Sequence, residues 1–175
     1  MSFSGTNRHW FIIGAEFPVG QCLADLASEL ALPYSSRRLD SREQLTVLSG
    51  GSSTPLAILA TAGDTPETNE HLQAWIELLI KQDIPMVLLS SAKVFDYNEV
   101  GSLEHDEMTG DARLIALENL ARDQLRHLII RVNQPFSLLT GDFAVQLLAK
   151  ARNEGSLILD NLIRIAPTPA DDIAL

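Results

Sequence analysis

The sequence has 175 residues, enough for a single domain with a sizeable core, and 46% of them are hydrophobic. A formal net charge of −10 argues against broad binding to the phosphate backbone of nucleic acids. The longest apolar runs are far shorter than the roughly 20 residues that a membrane-spanning helix needs, and the N-terminus has no signal-peptide core, so we expect a cytoplasmic protein.

Short apolar runs alternate along the chain with longer amphipathic ones, a pattern typical of βαβ units and a parallel sheet. The first strand is predicted at 10–14 and the first helix at 19–31. A polar second strand follows at 33–38, although it begins at Pro33, and a second helix is predicted at 41–49.

The rest of the sequence continues this alternation, with apolar residues at three- and four-residue spacing in each predicted helix. The further strands are predicted at 55–61, 84–91, 127–133 and 156–160, and the further helices at 68–82, 112–126 and 141–153. The sequence therefore predicts an α/β fold, a Rossmann-like doubly wound parallel sheet of about six strands with helices on both faces.

Cysteine and histidine do not indicate catalytic or metal chemistry. The single cysteine, Cys22, lies among leucines on a predicted helix, which indicates a buried thiol rather than a nucleophile. None of the four histidines forms the H-x-x-x-H spacing that places two imidazoles on one helix face, so no metal site is predicted. The acidic stretch "EHDE" at 104–107 is interpreted as a solvated charge cluster.

The loop "GAEFPVG" after the first strand is the first candidate site. Ligands of open parallel sheets bind beyond the carboxyl ends of the strands at the point where the strand order reverses, and we expect this point at the loops 14–20 and 90–97, after the first and fourth strands. A helix N-terminus binds phosphate where glycines let the backbone approach. Gly14 and Gly20 occupy the outer positions of a G-x-x-G-x-x-G spacing, but Phe17 occupies the middle one.

Several segments in collinear order resemble a known family from about residue 10 onward. They are "RLDSREQL" at 38–45, "LAILATA" at 56–62, "VLLSSAKVFDYN" at 87–98, "LEHDE" at 103–107, "IIRVNQPFS" at 129–137 and the segment 141–169. Together they resemble the dTDP-4-dehydrorhamnose reductase-like, nucleotide-sugar-binding family of extended short-chain dehydrogenases/reductases.

The resemblance implies one Rossmann-like NAD(P)-binding domain over 1–175, in which the C-terminal substrate part, about 135–175, is reduced or truncated. It also implies a dinucleotide or nucleotide-sugar ligand and a homodimer formed through the helices at 68–82 and 112–126, or a protein partner instead. The cofactor-binding positions that it implies are Gly14, Phe17, Gly20, Arg38, Asp40, Ala60 and Ala62. Arg37 and Arg38 could hold the 2′-phosphate of NADP, but an ordinary charged loop explains these arginines and Asp40 equally well.

Catalysis in the resembled family uses a Ser/Thr, a Tyr that donates a proton, and a Lys four residues after the Tyr. Ser91 matches the Ser/Thr, but the Tyr and Lys positions fall on Ile115 and Asn119. The sequence has no tyrosine after Tyr97 and no lysine between Lys93 and Lys150, so the standard dyad is absent in any register. A displaced pair, Tyr97 with Lys93, remains a minor alternative.

These departures favour a catalytically degenerate relative that acts as a ligand-sensing or protein-interaction module. Phe17 would crowd the pyrophosphate, so binding of NAD or NADP is expected to be weakened. Two alternatives stay open: a divergent NAD(P)H-dependent reductase or epimerase of a dTDP-linked 4-keto sugar, and a purely structural subunit.

Overall fold

The computed structural model describes residues 8–41, 55–63, 65–96, 103–137, 143–156 and 167–175. The strands are β1 (Trp10–Ile13), β2 (Tyr34–Arg37), β3 (Leu56–Leu59), β4 (Met86–Ser91), β5 (His127–Val132), β6 (Pro135–Phe136) and β7 (Thr168–Pro169). The α-helices are α1 (Pro18–Glu29), α2 (Pro66–Lys81), α3 (Ala112–Ala121), α4 (Phe143–Glu154) and α5 (Ala170–Ala174). No helix in these described ranges is both long enough and apolar enough to span a membrane.

Five strands form one parallel sheet in the order β2-β1-β3-β4-β5, and β6 pairs separately with β7. The chain leaves β1 for β2 on one side and returns to β3 on the other, so the strand order reverses between β1 and β3. A ligand crevice at this switch point would therefore lie between the loops after β1 and β3. The expectation that the loop after the fourth strand shares this point is wrong, because β3 separates β4 from β1.

Apolar side chains that alternate along the strands are buried on both faces of the sheet. On one face, Phe11 and Ile13 join a core cluster with Leu72, Trp75 and Ile76 of α2, and the rings of Phe11 and Trp75 lie 5.9 Å apart. On the other face, Ile12 joins a second cluster that includes residues of α1 and Ala170 of α5. This two-sided burial confirms the doubly wound α/β class.

Most predicted elements are confirmed, including the polar strand at 33–38, which appears as β2. That strand is held by parallel pairing with β1 rather than by its own apolar residues. The third long helix ends at Ala121 rather than 126, where a turn brings Gln124 inward to donate from Nε2 to the carbonyl of Ile84 at 3.1 Å. The predicted helix at 41–49 and strand at 156–160 lie almost entirely outside the described residues.

Candidate functional site

Backbone hydrogen bonds hold together the loops that follow β1, β2 and β3. The amides of Gly14 and Ala15 donate to the carbonyl of Arg37 at 2.9 and 3.1 Å, which joins the first two loops. The amide of Ala60 donates to the carbonyl of Ile13 at 2.9 Å, and Ala60 and Ala62 are both buried. The structure thus brings the predicted cofactor-binding positions together at one edge of the sheet.

Gly14 and Gly20 let α1 begin very close to β1. Gly14 has a φ of +87°, a conformation that favours glycine. A β-carbon on Gly20 would overlap the carbonyl oxygen of Gly14 and lie 2.8 Å from the Cα of Ala15. Both outer glycines are therefore required by the packing of this turn, whether or not a ligand binds.

Phe17 lies at the junction of the β1 loop and α1. It is the N-cap of α1, offers no side-chain acceptor, and is followed by Pro18, which has no N–H. A β-carbon placed on Gly14 would lie 3.1 Å from Cδ2 of Phe17 and 3.7 Å from Cγ2 of Thr61. The ring therefore lies beside the turn at Gly14 and packs against the first core cluster.

Glu16, which the sequence did not single out, connects the β1 loop to the segment after β2. Its Oε1 accepts a hydrogen bond from the amide of Leu39 at 2.9 Å. The carbonyl of the same residue, Leu39, accepts from Nε1 of Trp75 at 2.9 Å, so the β1 loop and α2 hold the backbone of Leu39 on both sides of its Cα. A carboxylate is thereby held at the end of β2.

Arg38 and Asp40 bond to each other rather than pointing separately at the crevice. Nε and Nη2 of Arg38 donate to the two carboxylate oxygens of Asp40 at 3.1 and 3.3 Å. The hydrogen bond and the charge of Asp40, and then the charge of Glu16, raise the pKa of Arg38. The hydrogen bond from Arg38 lowers the pKa of Asp40. Both side chains are exposed, so this pair contributes little to stability.

Three buried polar atoms in the described residues have no hydrogen-bond partner: Oε2 of Glu16, Oγ of Ser41 and Nδ2 of Asn69. They belong to the β1 loop, the segment after β2 and the first turns of α2, which follows β3. Leaving such atoms unpaired is costly, and native proteins usually pair them with a protein group or a water. All three thus follow the carboxyl ends of adjacent strands.

The predicted catalytic positions lie at the end of β4 and on α3. Ser91 is buried, and its Oγ accepts from the amide of Lys93 at 3.3 Å, which caps the short 3-10 helix at Ala92–Val94. Ile115 is half-buried, and Asn119 is exposed with its Oδ1 accepting from Arg122 at 3.1 Å. Neither side chain can act as a proton donor of the tyrosine kind, and Tyr97 lies outside the described residues.

A buried ionic network joins α3 to β4 and β5 beside Ser91. Glu118 is 0% exposed and accepts from Oγ of Ser90 at 2.7 Å and from Nε and Nη2 of Arg131 at 2.8 and 2.7 Å. Arg122 adds a contact at 3.0 Å. Burial opposes ionisation of Glu118, but the hydrogen bonds from Arg131 and Ser90 and the charges of both arginines outweigh it. The pKa of Glu118 therefore lies below its ordinary value of 4.5.

The sequence reasoning missed Glu118 and Arg131, although a signal was present. Glu118 interrupts the buried stripe of α3, and Arg131 interrupts the apolar strand β5. Opposite charges within the apolar patterns of two neighbouring elements indicate an ion pair between them. Glu16 gave no such signal, because its partner is a backbone amide 23 residues away.

Solved structures of nucleotide-sugar enzymes share this fold. A dTDP-4-dehydrorhamnose reductase from Clostridium acetobutylicum superposes with a TM-score of 0.77 at 14% identity, covering 95% of this chain and 67% of that one. A hypothetical dTDP-4-dehydrorhamnose reductase from Sulfolobus tokodaii gives 0.68 at 19% identity, with 95% and 69% covered. A dTDP-glucose 4,6-dehydratase from Bacillus anthracis, solved in complex with NAD, gives 0.70 at 12%, again with 95% and 69% covered.

These likenesses confirm, at the level of the fold, the resemblance seen in the sequence. The chain spans about two thirds of the length of each of these proteins. No protein-family model matches the sequence. No curated protein matches it either.

Proposed function

We propose that this chain is a catalytically degenerate relative of the nucleotide-sugar reductases, which retains their fold as a ligand-sensing or protein-interaction module. The proposal rests mainly on the side chains of α3. Ile115 and Asn119 fall on the positions where the resembled family has its proton-donating tyrosine and its lysine. The absence of any tyrosine after Tyr97 supports it independently of the register. Without an acid of this kind, a carbonyl that receives hydride has no efficient proton donor.

The switch-point crevice supports ligand binding better than it supports turnover. Its glycine turn, the buried Ala60 and Ala62, and the unpaired polar atoms suit a bound nucleotide, whereas the Phe17 ring crowds the pyrophosphate end. We therefore infer that NAD-type ligands bind weakly and serve as signals rather than as redox partners.

Calorimetric titration with NADH and with NADPH, combined with a turnover assay, tests this function. We expect weak binding and no reduction of a dTDP-linked 4-keto sugar. Micromolar binding accompanied by turnover would favour a divergent reductase or epimerase instead. If no dinucleotide binds and the chain forms a stable complex with another protein, a structural subunit is favoured.

Replacing Phe17 by glycine tests the role of its ring directly. We expect Phe17→Gly to tighten NADH binding by about tenfold, because the backbone of the loop becomes open to the pyrophosphate. Phe17→Leu is the matched control, since it keeps a bulky apolar side chain, and it should leave the affinity within about threefold of the wild type. Unchanged NADH affinity in Phe17→Gly would show that the Phe17 ring does not weaken cofactor binding.

A further inference from the structure

We propose that Glu16 determines which ribose the crevice accepts, favouring one with a free 2′-hydroxyl over one that carries a 2′-phosphate. This inference rests on the proposed function, because it assumes that a nucleotide is the ligand. It adds a specificity that the sequence did not predict, since there Arg38 was the candidate for contacting a 2′-phosphate.

The position of the carboxylate is the first argument. In Rossmann-type sites, an acidic residue near the end of the second strand bonds the ribose hydroxyls of NAD, whereas an arginine there accommodates the 2′-phosphate of NADP. Here the carboxylate reaches this place from the β1 loop, because Oε1 of Glu16 accepts the amide of Leu39 at 2.9 Å. Only one of its two oxygens is used by this bond.

The state of the second oxygen is the next argument. Oε2 of Glu16 is buried and has no partner among the described residues. A buried acceptor that lacks a donor is costly, so a ligand hydroxyl that donates to it would remove that cost. A phosphate at the same place has no proton to donate at neutral pH and would add a like charge beside the carboxylate.

The ion pair of Arg38 with Asp40 is the third argument. Nε and Nη2 of Arg38 donate to Asp40, at 3.1 and 3.3 Å, so a 2′-phosphate could bond to this edge of the guanidinium only by displacing a carboxylate. The charge of Arg38 is therefore already paired, and the formal net charge of −10 adds no attraction for a further phosphate.

Adenosine and adenosine 2′-monophosphate are the probes of choice, because neither carries the pyrophosphate that Phe17 crowds. Binding to the full chain would be measured by calorimetry for the wild type and for Glu16→Gln, whose amide oxygen can still accept from Leu39. Glu77→Gln serves as the charge-matched control, since Glu77 is exposed on α2 and bonds to Gln73. Arg38→Ala tests the alternative contact.

We expect the wild type to bind adenosine at least about tenfold more tightly than adenosine 2′-monophosphate. Glu16→Gln should reduce this ratio to about threefold or less, whereas Glu77→Gln should leave it unchanged. Arg38→Ala should not selectively weaken the 2′-phosphate. An unchanged ratio in Glu16→Gln, a wild-type preference for the 2′-phosphate, or no binding of either probe would overturn the inference. Turnover of a 4-keto sugar would instead overturn the proposed function, whatever the ratio.

Discussion

Glu118 is a charged residue in the core of the molecule, and its neighbours explain why it can stay ionised there. Two arginines and a serine supply the hydrogen bonds that water would otherwise provide. Arg131 also lies over the ring of Phe95, 4.9 Å from its centroid, and donates to the carbonyl of Glu104 at 3.4 Å. One side chain of β5 thus connects α3 with the segments that follow β4.

Removing the charge of Glu118 should destabilise the protein strongly. We expect Glu118→Gln to lower the free energy of unfolding by about 3 kcal/mol at pH 7, because Arg131 would be left without its carboxylate partner. Urea denaturation would measure the change, and Glu77→Gln on the surface should cost less than about 0.5 kcal/mol. A loss of similar size in both variants would contradict a special role for the buried network.

The same network predicts a dependence of stability on pH. Because the pKa of Glu118 is below 4.5 in the folded chain, its contribution is fully present above that value. The contribution is lost as the pH falls from 4.5 through the folded pKa. The difference between wild type and Glu118→Gln should therefore shrink below pH 4.5, and a constant difference down to pH 3 would show that ionisation is not its origin.

At the scale of elements, the contact between α1 and α5 joins distant parts of the chain. Sγ of Cys22 on α1 donates to Oδ1 of Asp171 on α5 at 2.9 Å. Ala170, at the start of α5, is buried in the second core cluster. The expectation of a buried thiol is only partly met, because Cys22 is half-buried.

Burial, followed by the hydrogen bond and charge of Asp171, raises the pKa of the Cys22 thiol from 9.0 to about 12. At pH 8 this lowers the thiolate fraction by about 1,000-fold, and the greater nucleophilicity of a more basic thiolate recovers only about 20-fold. We therefore expect a colorimetric disulfide reagent to react about 50-fold more slowly with the folded chain than with the urea-unfolded chain.

The variant Asp171→Asn distinguishes the Asp171 carboxylate from burial as the cause of the raised pKa of Cys22. It should speed the reaction of the folded chain by about tenfold, because it lowers the pKa of Cys22. Asp172→Asn, one residue along the same helix, is the matched control and should change the rate by less than about twofold. Equal acceleration by both variants would point to loosening of α5 instead.

At the scale of the whole molecule, α2 and α3 pack side by side on one face of the sheet and expose small residues outward. Ala74 and Ala116 are both exposed, and the buried stripes of the two helices face the first core cluster. Small side chains on neighbouring helices allow the close approach of a second copy. The predicted homodimer would use this surface.

Sedimentation should therefore give twice the 19.2 kDa mass of one chain at about 10 μM, where a dimer with a micromolar Kd is mostly assembled. Ala116→Glu on α3 should shift the protein to monomer, because a charge would be buried at the interface. Ala149→Glu, an exposed alanine on α4, should leave the dimer intact. Dissociation by Ile130→Glu instead would place the interface on β5, where Ile130 is 36% exposed.

The sequence by itself determined the order and type of the main elements, the parallel class of the sheet and the absence of a Tyr and Lys dyad. These follow from periodicity, turn residues and the identity of side chains, all of which are local properties. Gly14 and Gly20 were found in the same way, since the turn that needs them lies within seven consecutive residues.

Only the tertiary structure decided which loops meet and what each charged side chain contacts. The reversal of strand order between β1 and β3, the bond from Leu39 to Glu16 and the pairing of Arg131 with Glu118 all join residues far apart in sequence. Their energies depend on burial and on partners that neighbouring residues do not reveal. The crowding of the glycine turn by Phe17 could be suspected from the sequence, but the location of its ring beside Thr61 could not.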